Sequence, residues 1–205
     1  MKQKEKIRNL VILGSWNSLL FNAKWLNDNI YDGRLGEKIK MEIMINGDRI
    51  RGRKFYLPDY ILEISQERLC FVLNETKQEN FDLLIDDVTK LLTKLQHTPI
   101  QSMGINFIFF DEKENPFLNA SKFYEIENMI EANEIIKIDK KECTLQLSIN
   151  RKENFIEFNF NYSYKINDIS HIKSILEFGL YKRLEDESSS LISKIMEKYN
   201  ARKDN

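Results

Sequence analysis

TPIQSMGINFIFFD, residues 98–111, is the stretch around which the rest of the sequence is organised. Its apolar positions fall on both alternating sets, with Ile100, Gly104, Ile108 and Phe110 on one and Met103, Ile105, Phe107 and Phe109 on the other. A strand that is apolar on both sides is typical of the interior of a sheet covered on both faces. Pro99 lacks an N–H and therefore suits the first position of such a strand. The stretch predicts a central strand near the middle of the chain.

The residues before this strand predict a strand, a helix, two hairpins and a second helix. The pattern places them at Ile7–Leu13, at a helix capped by Ser15 or Asn17 with Leu19, Leu20, Ala23, Leu26 and Ile30 inside, at Lys38–Leu57 and at Tyr60–Leu73. Ile39, Met41, Ile43 and Ile45 alternate with polar residues and are predicted to face inward. Asn46-Gly47 is the strongest hairpin signal, because both residues accept positive φ in a tight turn.

A long amphipathic helix is predicted immediately before Pro99. Thr76 and Glu79 have the spacing of a capping box. The apolar face of the helix consists of Phe81, Leu84, Ile85, Val88, Leu91, Leu92 and Leu95. Asp82, Asp86 and Asp87 are predicted to lie away from that face.

The residues after Asp111 predict a helix, a short strand, two longer strands and a final helix. These elements are a helix at Ser121–Glu131, strands at Ile135–Ile138, Cys143–Ile149 and Ile156–Tyr164, and a helix capped by Asp168 that uses Ile172, Ile175, Leu176 and Leu180. The polar stretch Glu185–Ser190 interrupts the apolar face and predicts a kink, a break or a segment that docks elsewhere.

The element order of the first part is repeated from Pro99 onward. The fold class is therefore predicted to be α+β, with a curved, largely antiparallel sheet and helices packed on it. No linker composition divides the chain, so residues 1–205 are expected to form a single domain, with 1–97 and 98–205 as pseudo-repeated halves.

TPIQSMGINFIFF, together with the order of the elements around it, resembles the core of uncharacterised, sporadically distributed bacterial proteins that have been compared with the SecB-like chaperone fold. The resemblance covers about two thirds of the chain by element order but only this motif by residues. It implies an α+β fold and a polypeptide-binding role. It supplies no catalytic residues.

The composition is that of a globular protein, with 42% hydrophobic and 31% charged residues and a net charge of -1. This balance gives no global attraction to nucleic acid or anionic membrane. Cys70 and Cys143 lie in apolar runs and are interpreted as free thiols in a reducing compartment. No apolar run approaches the about 18 residues that a membrane-spanning helix needs. We therefore expect a cytoplasmic protein.

Several patterns suggest chemistry without the companion residues that the chemistry requires. The run from Gly47 to Lys54 has a misplaced lysine for a phosphate-binding loop, and Ser170 with Lys173 is better interpreted as a helix cap beside a solvated lysine. His97 and His171 have no neighbours at metal-ligand spacing. No catalytic, cofactor-binding or metal-binding residue is assigned, and no cofactor is expected.

A second set of patterns concerns charge. The segment Gly33–Lys54 has seven basic and three acidic residues, whereas Asp111–Glu134 has seven acidic and two basic ones. In a regular strand Arg49, Arg51 and Arg53 share one face, with Ile50 on the other. They are hypothesised to form a surface for an anionic partner, with a solvated edge that discourages aggregation as the alternative.

Three functions are carried forward, in this order. The first is a non-catalytic interaction protein that holds another polypeptide, as a chaperone-like or antitoxin-like partner in a bacterial defence or toxin–antitoxin operon, with homo-oligomerisation left open. The second is a metal-dependent nuclease that uses Asp59 and Glu63. The third is nucleic-acid binding without catalysis.

Overall fold

The computed structural model describes residues 8–33, 35, 39–47, 49–75, 77–111, 132–151, 155–177 and 179–201. The strands are β1 Arg8–Gly14, β2 Lys40–Asn46, β3 Arg49–Tyr56, β4 Tyr60–Ser65, β5 Arg68–Leu73, β6 Ile100–Asp111, β7 Ala132–Asp139, β8 Thr144–Arg151 and β9 Ile156–Lys165. The helices are α1 Ala23–Asn29, α2 Gln78–Lys94, α3 Ile169–Ile175 and α4 Leu180–Ala201. The helix predicted at Ser121–Glu131 lies outside the described residues.

The nine strands form one antiparallel sheet in the order β2-β3-β4-β5-β1-β6-β9-β8-β7. The predicted α+β class and the antiparallel pairing are confirmed. β6, the strand formed by TPIQSMGINFIFFD, lies between β1 and β9, as a central strand should. Over the described residues, β2 and β7 are the two edge strands.

β6 does not have the two-sided cover that its sequence suggests. Met103, Ile105, Phe107 and Phe109 are buried, whereas Gly104, Ile108 and Phe110 are only half-buried. One face of the strand therefore carries the core, and the other is partly open to solvent. This is the usual arrangement of an antiparallel sheet.

Each half of the chain returns to its first strand, since β5 lies beside β1 and β9 lies beside β6. Compactness divides the chain differently. The first unit comprises Arg8–Ile105 and Ser163–Leu180, and the second includes Asn106–Tyr162 and Tyr181–Asn205. The boundaries of these units fall within β6 and β9 rather than at residue 97. The single domain and the pseudo-repeated halves stay predictions.

The core of the first unit is built from rows of cross-strand neighbours. One row runs through Phe55, Leu62, Phe71 and Leu10, each paired with the next across adjacent strands and each buried. α2 contributes Phe81, Leu84, Val88, Leu91 and Leu92, which are also buried. Burying one such side chain contributes about 1.5–3 kcal/mol, so this face dominates the stability of the unit.

The second unit has an aromatic core. On β8, Leu145, Leu147 and Ile149 are buried at alternate positions. The ring of Phe107 lies 5.9 Å from that of Tyr162 and 5.5 Å from that of Tyr181, which belongs to α4. Aromatic pairs at these separations stabilise a core beyond their area alone.

Two helix starts differ from the prediction. α1 begins at Ala23, and its cap is Asn22, whose side chain accepts a hydrogen bond from the Trp25 amide at 2.9 Å. The predicted caps, Ser15 and Asn17, are too early, because the chain first makes a turn over residues 18–20. α2 begins after Lys77, which provides no side-chain cap, and Thr76 of the predicted capping box lies outside the described residues.

The C-terminal helices break at a different place from the one predicted. α3 starts at its predicted cap, Asp168, and ends at Ile175, and Gly179 adopts a positive φ of 80° just before α4 begins. α4 then continues without a break through Glu185–Ser190. Ser188 occupies the buried position one turn after Leu184 and donates its hydroxyl to the Leu184 carbonyl at 2.8 Å. A satisfied serine can therefore replace an apolar residue on the packed face.

Candidate functional site

The most distinctive surface belongs to the β2–β3 hairpin. Gly47 has a φ of 60°, as the predicted tight turn requires, and the two strands pair from Asn46 opposite Arg49 to Lys40 opposite Tyr56. β3 also pairs with β4, whereas β2 has no neighbour on its other side among the described residues. The backbone groups along that side of β2 are available to another extended segment.

Apolar side chains lie along the core-side face of β2. Met41 is opposite Phe55, which belongs to the buried row of the first unit, and Ile43 and Ile45 follow on the same face. The row was predicted to face inward, and it does, but its side chains are 39% exposed at Met41, 47% at Ile43 and 66% at Ile45. Ile50, opposite Ile45, is also exposed. The described part of the chain therefore leaves an apolar strip uncovered at a sheet edge.

The outer face of the hairpin carries a charged network. Lys54 forms an ion pair with Glu63 at 2.8 Å, and Tyr56 donates its hydroxyl to Glu42 at 2.8 Å. Lys40 lies 3.2 Å from Glu42. The hydrogen bond to Glu63 raises the pKa of Lys54, and the hydrogen bond from Tyr56 lowers the pKa of Glu42. The two faces of the hairpin are thus chemically distinct, one apolar and one charged.

The three arginines predicted as an anionic-partner surface are not equivalent. The pairing shifts between Met44 and Ile45, so that Gly52 and Ile50 are their partners and Arg51 has none. This β-bulge interrupts the alternation on which a shared face depended, so that premise was wrong. Arg51 is exposed, and nothing is described of the Arg49 side chain. The anionic-partner surface itself stays a prediction.

Arg53 is half-buried and already engaged. Its guanidinium donates to the carbonyl of Leu19 at 3.4 Å and to the carbonyl of Phe21. Arg53 is the cross-strand partner of Ile43, so it lies on the core-side face of the hairpin. It fastens the hairpin to the turn that precedes α1.

Gly52 sits where the bulge brings β3 close to β4. A Cβ atom at this position would overlap the backbone carbonyl oxygen of Ile64 and lie 2.7 Å from Cε of Met44. We expect Gly52→Ala to destabilise the first unit by about 1–3 kcal/mol, because a backbone oxygen cannot move aside as a side chain can. Urea unfolding would measure the loss. Gly47→Ala, at a position where a Cβ meets nothing but φ is positive, separates strain from overlap; an unchanged Gly52→Ala would contradict this packing.

The carboxylates proposed for a nuclease do not converge. Glu63 is paired with Lys54, and Asp59 lies in the turn before β4. Four positions of extended chain span about 13 Å, whereas magnesium ligands lie about 2.1 Å from the ion. No group of three or more potential metal ligands exists among the described residues. The structure offers no support for this alternative.

Ser170 and Lys173 do not form a reactive pair. Ser170 donates to the Asp168 carboxylate at 2.5 Å, and Lys173 donates to the Thr93 hydroxyl at 2.8 Å. Each has a structural partner of its own. The interpretation of this segment as a helix start agrees with the geometry.

A buried polar network in the first unit was missed. The hydroxyls of Tyr31 and Tyr60 are 2.7 Å apart, and Tyr60 donates to the Asp87 carboxylate at 3.1 Å. Burial raises the pKa of Tyr60 well above its ordinary value. Asp87 is buried, so its predicted place away from the apolar face was wrong. Its spacing of three from Leu84 and four from Leu91 would have placed it on that face.

The second unit has a comparable internal cluster. The Tyr162 hydroxyl lies 2.8 Å from the Ser188 hydroxyl, and both residues are fully buried. Lys140 forms an ion pair with Glu187 and lies 5.0 Å from the centre of the Tyr162 ring. Desolvation lowers the pKa of Lys140. The buried hydroxyls bond to each other, which is a structural role.

Neither a scan of protein-family models nor a search of curated proteins found a match to this chain. In the part of the chain that the structure describes, no helix is long and apolar enough to cross a membrane. The functional argument therefore rests on the β2 edge and its chemistry.

Proposed function

We propose that this protein is a non-catalytic, cytoplasmic polypeptide-binding protein and that β2 is its binding edge. The observation that carries the proposal is the apolar row of Met41, Ile43 and Ile45 on an edge strand. An extended peptide placed beside β2 forms main-chain hydrogen bonds and buries alternate side chains against this row. The resemblance to the SecB-like chaperone fold agrees with such a role, since it too implies polypeptide binding.

The chemistry of the edge defines the partner. On the core-side face, the partner segment places apolar residues next to Met41, Ile43 and Ile45. On the outer face, it lies beside Lys40 and Glu42, which favour an acidic and a basic neighbour respectively. The best partner is therefore an extended segment with alternating apolar and charged residues, as is common in unfolded or strand-donating polypeptides.

Binding of a permanently unfolded protein, such as reduced and carboxymethylated lactalbumin, tests the proposal. We expect Ile43→Lys/Ile45→Lys to weaken this binding at least about tenfold, because burying each isoleucine contributes about 1.5–3 kcal/mol. Fluorescence anisotropy of the labelled unfolded protein gives the Kd.

Ile135→Lys is the matched control, because Ile135 is 63% exposed on β7, the other edge strand. Equal weakening by both variants would indicate non-specific hydrophobic contact, and binding that is unaffected by the β2 variant would remove β2 as the site. Circular dichroism confirms that each variant is folded.

A further inference from the structure

We infer that the resting protein covers its binding edge by pairing β2 antiparallel with β2 of a second copy, in competition with the polypeptide partner. The inference rests on the proposed function, because it concerns the same edge. Its starting point is that β2 is chemically complementary to itself. A single strand edge repeated by a two-fold axis closes into a dimer and cannot extend into a filament.

The two-fold pairing keeps the apolar rows of both copies on the same side. A two-fold axis perpendicular to the sheet places residues of the same face opposite each other in an antiparallel pair. When the axis passes through Ile43, this residue is opposite its own copy and Met41 is opposite Ile45. All three apolar residues of each row then gain an apolar neighbour across the interface. Side chains that are 39–66% exposed in one copy are covered by the other.

Charges on the outer face favour this register over its neighbours. Centred on Ile43, it places Glu42 opposite Met44 and Lys40 opposite Asn46, so no like charges stand directly opposite each other. Centred on Glu42, the pairing would oppose two glutamates, which is destabilising. Centred on Met44, it would place Met41 opposite Gly47, beyond the end of the strand, and lose an apolar pair.

The contact is small, and this fits a reversible cover. β2 has seven residues, so the strand pair buries less than the about 1,200 Å² that stable interfaces need. A dimer of this kind forms at high protein concentration and yields to a partner that offers a longer strand. Self-association and polypeptide binding are then mutually exclusive.

Cysteine cross-linking at Ile43 tests the register directly. Residues opposite each other at the axis are close enough for a disulfide without backbone movement. Under mild oxidation with copper phenanthroline, Ile43→Cys is expected to form a covalent dimer on non-reducing gels at least tenfold faster than Ile135→Cys on the other edge. The parent protein, whose Cys70 is buried and Cys143 half-buried, gives the background.

Met41→Cys and Ile45→Cys provide a second, independent arm. Each alone is expected to cross-link slowly, whereas an equimolar mixture is expected to cross-link as rapidly as Ile43→Cys. The covalent Ile43→Cys dimer should bind the unfolded lactalbumin at least tenfold more weakly than the same protein after reduction.

The outcomes separate this inference from the proposed function. If Ile43→Cys cross-links no faster than Ile135→Cys, or if the covalent dimer binds the unfolded protein as well as the reduced form does, the inference is overturned. Binding that Ile43→Lys/Ile45→Lys abolishes would still support the proposed function in that case. If rapid cross-linking occurs but no form binds the unfolded protein, the proposed function fails and the competition fails with it.

Discussion

Phe107→Ala is expected to lower the free energy of unfolding of the second unit by about 3–5 kcal/mol, the usual cost of removing a buried phenylalanine ring. Phe107 is buried, and its ring lies among those of Phe109, Tyr162 and Tyr181. The substitution removes the contacts of all three rings and leaves a cavity that only partial relaxation can fill. Urea unfolding followed by tyrosine fluorescence measures the loss.

Ile108→Ala is the control for Phe107→Ala, because Ile108 is the next residue along β6 and lies on the half-buried face. We expect a clearly smaller loss for it. Equal losses for the two variants would mean that β6 is covered on both faces, as its sequence alone suggests, and that the described packing is wrong.

Leu84→Ala is expected to cost about 2–5 kcal/mol in the first unit. Leu84 is fully buried on the inner face of α2, in the same stripe as Phe81, Val88 and Leu91. Its truncation leaves a cavity between α2 and its neighbours while keeping the helix propensity high. Chemical unfolding followed by circular dichroism measures the difference.

Leu83→Ala is a closely matched control, since it removes the same atoms one residue earlier from a half-buried position. A loss well below that of Leu84→Ala is expected. If Leu83→Ala proves the more costly of the two, the helix is rotated from the orientation described, and the buried place of Asp87 is also in doubt.

The strands were predictable because their signals are local. Alternation of apolar residues gave β2, β8 and β9, and the Asn46-Gly47 turn gave the first hairpin. Helix limits were less predictable, because they depend on which groups find partners in the folded chain. Asn17 and Asn22 are equally good caps in sequence, and only Asn22 caps a helix in the structure.

Buried polar residues were missed for a related reason. Asp87 and Ser188 resemble surface residues in a sequence, yet Tyr60 satisfies one and Tyr162 the other. Partners 27 and 26 residues away in the chain cannot be inferred from helical spacing. The position of Asp87 on the apolar face was readable from its spacing, but its hydrogen-bond donor was not.

The candidate site was predictable only in part. The alternation of Met41, Ile43 and Ile45 predicts their common face, but exposure depends on which strand lies at the edge of the sheet. The arginine stripe was predicted on regular alternation, and the bulge at Arg51 breaks this regularity. A bulge is set by the fit of two strands to each other and leaves little trace in the sequence of one.

Amide hydrogen exchange in the presence of a bound polypeptide tests the central claim most directly. We expect saturating unfolded lactalbumin to slow exchange in residues 40–46, because their free amides gain main-chain partners, and to leave residues 132–139 of the other edge unchanged. Slowing confined to residues 132–139, or no slowing in β2 while the polypeptide is bound, would contradict the claim that β2 is the binding edge.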